Sequence, residues 1–267
     1  MTKSLAIKFY RKLREDGLPA TMQRVVETFI RVGASWKLKI LRRFCEPRTI
    51  FTYYYKTNQW RNPESRSGAG STLEGTQGVR SGVEDLVRKF HIKTVYDAPC
   101  GDFNWMRHVS FPSGVKYIGG DIVGAMIDDL QRTYGNESRS FIRTNIITDP
   151  FPAADVWICR DCLFHFSYEH IVATLENFCN SAIPYALLTT DVSEGGNRFE
   201  HRDIRTGGFR RIDLFAPPFS FPKETSGEFI DTADPQKLRK MCLWTRDQVG
   251  MALRAMKKTL PTEIGNR

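Results

Sequence analysis

The stretch KTVYDAPCGDF, residues 93–103, decides the fold. Its first half is a short run rich in β-branched and aromatic residues, which predicts a buried strand over 93–98. Its second half turns at Gly101, where the absence of a side chain lets a ligand approach the backbone. We expect a helix to follow and to present its N–H groups at this turn.

The same alternation continues along the chain. Further strands are predicted at 116–122, 140–146, 155–161 and 185–192, and helical patterns at 83–90, 124–134 and 168–181. Strands that alternate with helices at this spacing pair in parallel through right-handed crossovers. The sequence therefore predicts an α/β fold with a doubly wound, mainly parallel sheet.

Polar residues follow three of these strands, and ligands of doubly wound sheets bind beyond the carboxyl ends of the strands. Asp97 and Asp102 flank the first turn and favour a cationic or zwitterionic ligand over a pyrophosphate. Asp121 stands 20 residues beyond Gly101, about where an acid binds ribose hydroxyls in nucleoside-binding sheets. Asn145 follows the third strand, where its amide can hydrogen-bond an adenine edge.

Several motifs together resemble class I S-adenosylmethionine-dependent methyltransferases. They are DAPCGD (97–102), GGD (119–121), CRDCLFHF (159–166), NPESRSGAGST (62–72), APPF (216–219) and LW (243–244). The subgroup they resemble contains bacterial sugar O-methyltransferases of the nodulation-factor fucose O-methyltransferase type. The resemblance covers residues 53 to about 245 and implies a seven-stranded, Rossmann-like methyltransferase sheet.

The resemblance also implies how S-adenosyl-L-methionine would be bound. Asp97 and Gly101 would line the methionine end of this cofactor, Asp121 the ribose, and Asn145 the adenine. Ile122, next to Asp121, is a further predicted cofactor-binding residue. Arg160, at the end of the fourth strand, would complete the cofactor site.

The fourth strand leads to the candidate catalytic residues. His165 is the predicted base that takes a proton from a hydroxyl nucleophile, since imidazole exchanges protons near neutral pH. Asp161 would orient His165 or accept the proton itself. Two structural alternatives stay open: His165 caps a helix that begins near Ser167, and Arg160–Asp161 is an ion pair of the scaffold.

Two further stretches are candidates for the acceptor pocket. The segment 197–218 mixes aromatic residues with arginines, and we predict substrate contacts from Arg205 and Arg210. Trp60 and residues 64–72 would form a lid. The Gly- and Ser-rich stretch 61–82 has two other interpretations, a flexible linker and the loop before a helix that Ser71 or Thr72 caps.

The charge is concentrated in an N-terminal extension, residues 1–50, which we separate from a methyltransferase domain over 51–267. The chain carries 39 Lys and Arg against 30 Asp and Glu, and residues 1–50 hold 12 of the basic and four of the acidic ones. Apolar residues recur at helical spacing over 3–45, so this extension is predicted to be helical. It either packs on the body or contacts an anionic membrane or a glycosyltransferase.

The predicted activity is methylation of a glycan hydroxyl, on a cell-surface or lipid-linked sugar such as a deoxyhexose. The alternatives are a methyltransferase for a small molecule or a protein nitrogen, and a non-catalytic module of a glycan-assembly complex. Nucleic acid is not an expected partner because the body has no basic surplus. We expect no metal, since CxxC at 159–162 lacks a second half-site. Scattered cysteines and no signal-peptide pattern predict a cytoplasmic protein, peripheral at the inner membrane face.

Overall fold

The structure, a computed structural model, describes residues 33, 36–192, 201–232 and 238–260. The chain forms two compact units, Met1–Glu46 and Pro47–Arg267. In the first unit residues 36–44 are helical, and the helices predicted over 3–32 lie outside the described residues. Within the described residues no helix has both the length and the apolar character needed to cross a bilayer.

The second unit is built on one seven-stranded sheet. The strands are β1 (Thr94–Asp97), β2 (Lys116–Asp121), β3 (Arg139–Arg143), β4 (Val156–Cys159), β5 (Tyr185–Asp191), β6 (Gly227–Thr232) and β7 (Arg239–Thr245). Their order is β3-β2-β1-β4-β5-β7-β6. All neighbours among β1–β5 pair in parallel, and β7 runs antiparallel to both β5 and β6. The prediction of a mainly parallel, seven-stranded Rossmann-like sheet is therefore confirmed.

Helices cover both faces of this sheet, as a doubly wound fold requires. They are α1 (Pro47–Thr57), α2 (Gln77–Lys89), α3 (Gly124–Tyr134), α4 (Tyr168–Cys179) and α5 (Arg246–Thr259). Strand β4 is buried throughout, and its alternate residues belong to two cores. Trp157 packs with α4 and α5 on one face, whereas Ile158 packs with α2 and α3 on the other.

The helices on either side of β1 differ from the sequence-based expectation. The helix expected after Gly101 is a single 3₁₀ turn, Met106–His108. Helix α2 begins at Gln77, six residues before the predicted start at 83. The second unit begins at Pro47, and Ile50 and Tyr54 of α1 are buried.

A capping box at the start of α5 gives a test of the fold. The Thr245 hydroxyl accepts from the Gln248 backbone N–H at 3.3 Å, and the Gln248 side chain accepts from the Thr245 N–H at 2.9 Å. We expect Thr245→Ala to lower the free energy of unfolding by about 1 kcal/mol, or Tm by about 2–4 °C. Thr259→Ala, at the exposed end of the same helix, is the control. Equal denaturation midpoints for the two variants would contradict the role of the cap.

Candidate functional site

A cleft opens beyond the carboxyl ends of β1, β2 and β4, where ligands bind in such sheets. Its empty volume is about 1070 Å³, including the solvent at its mouth. Nine of the predicted site residues line it: Trp60, Asp97, Gly101, Asp121, Ile122, Asn145, Arg160, Asp161 and His165. The fold thus gathers into one cleft residues that are spread over more than 100 positions of sequence.

Asp97, the last residue of β1, is a buried carboxyl group at the floor of this cleft. Only 2% of its surface is exposed, and the Tyr117 hydroxyl donates to its Oδ2 at 2.7 Å. Burial raises the pKa of Asp97 to about 7, although the hydrogen bond from Tyr117 and the charge of Arg160 oppose the shift. A cation bound here would therefore favour the ionised carboxylate.

Asp121, the last residue of β2, connects the two neighbouring strand ends. Its Oδ2 accepts from the Gly101 N–H at 3.2 Å and its Oδ1 from the Val123 N–H at 2.9 Å. Burial raises the pKa of Asp121 to about 6 against these hydrogen bonds. Gly101 has a φ of +55°, and a Cβ there would collide with Ser67 Oγ. The turn therefore requires glycine for conformation and for space.

An apolar wall continues from Asp121 along the cleft. Besides Ile122 it comprises Val123, Met126, Ile146 and Ile147. Asn145 lies at the edge of this wall, where its side-chain oxygen accepts from the Ile147 N–H at 3.2 Å. The Asn145 oxygen thus shapes its own loop, and the wall offers a surface for a flat, apolar ring.

Residues 64–72, here called the strap, form an ordered loop against the glycine turn. The Asp102 carboxylate accepts from Ser65 Oγ at 3.0 Å, from the Arg66 N–H at 2.6 Å and from Ser67 Oγ at 3.2 Å. Arg66, Ser67 and Ser71 line the cleft. Of the interpretations left open, the structure supports an ordered loop before a helix. Thr76, not Ser71 or Thr72, is at the N-cap position of α2.

Arg160 and Asp161 belong to a chain of alternating charges. Arg160 donates to Asp231 of β6 at 2.7 Å and lies 3.6 Å from Asp161, which in turn accepts from Arg239 of β7 at 3.0 Å. Asp161 has a φ of +52°, a conformation that non-glycine residues adopt at a cost and often at functional sites. Arg160–Asp161 is thus part of a scaffold network that also forms one wall of the cleft.

His165 faces the cleft from the 3₁₀ turn Leu163–His165. Its Nδ1 lies 2.6 Å from the carbonyl oxygen of Gly208. Because a carbonyl only accepts, Nδ1 carries the proton, and the neutral ring has its lone pair on Nε2. The group that orients His165 is therefore Gly208, whereas Asp161 is engaged with Arg239. Ser167 and not His165 caps α4, by accepting from the His170 N–H at 3.3 Å.

Arg205 and Arg210 do not line the cleft, so the structure does not place them as the substrate contacts we predicted. Arg205 is exposed. Arg210 is buried beneath the 163–168 turn, where it donates to the Phe166 carbonyl at 2.7 Å and lies 4.8 Å from the centre of the Tyr168 ring. Composition alone could not separate an arginine that lines a pocket from one that supports its wall.

The same stretch has another role, because it holds the turn that carries His165 in place. The Gly207 N–H donates to the His165 carbonyl at 2.8 Å, and the Arg210 N–H donates to the Phe164 carbonyl at 3.2 Å. With the Gly208 contact to the ring, residues 207–210 fix both the backbone and the imidazole of His165. Residues 197–200 of the predicted stretch lie outside the described part of the chain.

Two residues of the cleft and two of the charge network beside it were not predicted from the sequence. Helix α1 contributes Phe51 and Tyr55 to the lining, and the aromatic run FTYYY at 51–55 was a usable signal. Asp231 and Arg239 belong to the charge network and have no such signal in the sequence. Asp231 pairs with Arg160 across 71 residues, and Arg239 pairs with Asp161 across 78 residues.

Comparison with known proteins identifies the fold. No protein-family model matches the sequence, and no curated protein matches it. Among solved structures, mitomycin 7-O-methyltransferase is 16% identical with a TM-score of 0.52, and the match covers 72% of this chain and 60% of that one. An S-adenosylmethionine-dependent methyltransferase from Leishmania major is 15% identical with a TM-score of 0.52, over 71% of this chain and 82% of that one. The chain thus has the Rossmann-like methyltransferase fold.

The two buried carboxyl groups predict how the stability of the ligand-free protein depends on pH. Their pKa values of about 7 and about 6 lie above the ordinary 3.8, so the native state holds these protons more tightly than the unfolded chain does. Their stabilising contribution is complete below about pH 3.8 and is lost as the pH rises through 6 and 7.

Thermal unfolding between about pH 5 and about pH 8 measures this contribution. We expect Tm to decline with pH more steeply in the wild type than in Asp97→Asn, which removes one of the two groups. Asp85→Asn, whose side chain is 81% exposed, should leave the slope as in the wild type. The same slope in wild type and Asp97→Asn would show that Asp97 does not hold its proton.

Proposed function

We propose that this protein is an S-adenosylmethionine-dependent methyltransferase. The observation that carries the proposal is the pair of buried carboxyl groups, Asp97 and Asp121, at neighbouring strand ends of a sheet with the methyltransferase strand order. The solved structures with this fold support the reaction class, and the resemblance of the motifs supports the cofactor.

The residues present suit this cofactor at each of its parts. Asp97 has a raised pKa, so it would gain from the positive α-ammonium of the methionine moiety. Asp121 offers carboxylate oxygens to ribose hydroxyls, which donate hydrogen bonds. The wall from Ile122 to Ile147 suits the faces of adenine, and the turn at Gly101 lets the ligand approach the backbone.

The chain's contribution to the chemistry is positioning and proton removal. When bound, the cofactor supplies an electrophilic methyl group on a sulfonium. His165 would accept the proton of the acceptor hydroxyl at Nε2, while Nδ1–H keeps its hydrogen bond to Gly208. That carbonyl also stabilises the imidazolium that results. Arg160 and Asp161, tied to β6 and β7, keep the strand end rigid beside the reacting groups.

We propose a hydroxyl of a glycan as the acceptor, on a cell-surface or lipid-linked sugar such as a deoxyhexose. Trp60 lies on the same side of the cleft as His165, with ring centres 6.0 Å apart, and its ring offers an apolar face on which a sugar could stack. Arg66 and Ser67 of the strap add polar contacts in the same cleft. Phe51, Tyr55 and Phe166 also line the cleft, which favours a flat aromatic hydroxyl as the second candidate.

Calorimetry with S-adenosylmethionine tests the cofactor assignment. Asp121→Ala should weaken binding about 10- to 100-fold, since a hydrogen bond to a charged group contributes about 1.5–3 kcal/mol. Asp121→Asn preserves the volume and should weaken binding in the same direction, which guards against a loss caused by unfolding. Asp85→Ala is the exposed control and should bind as the wild type does. No binding by the wild type, or unchanged binding by both Asp121 variants, would refute the assignment.

Transfer of a labelled methyl group tests the catalytic role of His165 and the acceptor. His165→Ala should keep cofactor affinity and lose about 10²- to 10⁴-fold in transfer rate, the usual contribution of a general base. His108→Ala, at an exposed position, should transfer at the wild-type rate.

The acceptor material for this assay is an envelope glycan extract from a strain that lacks the gene. Label that enters glycan from the deletion strain and not from its parent supports a sugar hydroxyl. Label confined to protein amines or to small phenols would overturn the glycan assignment and leave the cofactor assignment intact.

A further inference from the structure

The helical segment 36–44 of the first unit carries an exposed apolar stripe. Trp36, Ile40 and Phe44 are exposed to 65%, 45% and 74%. Since two of the three are aromatic, we call these three residues the aromatic stripe. They are half of the large apolar side chains that are exposed within the described residues; the others, Phe209, Ile230 and Met251, are scattered over the second unit. Such clustering marks an interaction surface, whereas single exposed apolar residues do not.

The stripe lies on one face of the helix, away from the side that packs. Residues four apart differ by about 40° around a helix, so the three side chains span about 80°. Leu38, Leu41, Arg42 and Cys45 are half-buried, and each lies about 100° or more around the helix from the centre of the stripe. The packing of the helix therefore uses a different face and leaves the aromatic stripe outside.

Positive charge borders the stripe. Lys37 and Arg43 lie about 60° to either side of its centre, and Lys39 lies further around the helix. Arg42 lies on the opposite, half-buried side of the helix, and residues 36–45 hold four cations and no acid in all. The Arg43 guanidinium lies 5.5 Å from the centre of the Phe44 ring, so charge and apolar surface are presented together.

We propose that the aromatic stripe docks into the interface of an anionic lipid membrane. Tryptophan and phenylalanine favour the boundary between headgroups and acyl chains, and cations beside them are attracted to anionic lipids. A second copy of this chain is a poorer occupant, because Lys37 and Arg43, which flank the stripe, would face the same two cations of the other helix. The inference stands independently of the proposed function.

Vesicle flotation with the full-length protein tests this proposal. The vesicles are phosphatidylcholine alone, or phosphatidylcholine mixed with phosphatidylglycerol. The wild type should bind the mixed vesicles and lose binding as salt increases, since exposed charges are screened. The double variant Trp36→Ser/Phe44→Ser should bind the mixed vesicles at least about tenfold more weakly than the wild type, because the interfacial contact depends on buried apolar area.

Two further variants make the test specific. Met251→Ser removes another exposed apolar side chain, 54% exposed on α5, and should bind as the wild type does. Lys39→Glu/Arg43→Glu keeps the aromatic stripe and should lose the preference for phosphatidylglycerol. Equal binding by the wild type and the Trp36/Phe44 double variant would overturn the proposal, as would equal binding of the wild type to both vesicle types. Self-association that the same double variant abolishes, without vesicle binding, would instead identify a second copy as the occupant.

Discussion

The burial of two carboxyl groups at the ends of neighbouring parallel strands determines the character of the cleft. Parallel pairing brings Asp97 and Asp121 close together, because β1 and β2 end at the same sheet edge. Asp97 lies opposite Gly119, two residues before Asp121. Burial raises the pKa of both groups. In the ligand-free cleft their ionised forms are therefore destabilised relative to the same groups in water. Such a floor disfavours anionic ligands. It favours a ligand with a cation near β1 and hydroxyl groups near β2.

The walls of the cleft are held by charges that already have protein partners. Asp102 accepts hydrogen bonds from the strap, Arg160 pairs with Asp231, and Asp161 pairs with Arg239. Each of these contacts joins segments more than 30 residues apart, so each fixes the position of one wall relative to another. A cleft whose walls are fixed before a ligand arrives loses less order on binding, and this is how preorganised sites gain affinity and rate.

The sequence predicted most of the fold and much of the cleft, because both depend on local pattern. Buried strands and amphipathic helices show as periodicity, and the strand-end rule then placed Asp97, Asp121 and His165 on one edge. Contacts that depend on tertiary packing cannot be predicted from these local patterns. Arg210 belongs to a stretch whose mixture of aromatic residues and arginines is typical of a substrate pocket, yet its side chain is buried beneath the turn that carries His165. The helix predicted after Gly101 is only the single 3₁₀ turn Met106–His108, and no local pattern shows that Ser67 of the strap lies against Gly101.

Asp161 and His165 are four residues apart in sequence and suggest a catalytic pair, but the structure gives them different partners. Asp161 is held in a left-handed backbone conformation by Arg239 and Thr189, which suits a residue that fixes the end of β4. His165 is supported from behind by residues 207–210, and its ring lies 6.0 Å from Trp60. The stacking surface of Trp60 would thus lie directly beside the proton acceptor of the proposed reaction. In the proposed reaction, the segment behind His165 therefore matters as much as the strand end before it, because it determines which nitrogen faces the acceptor.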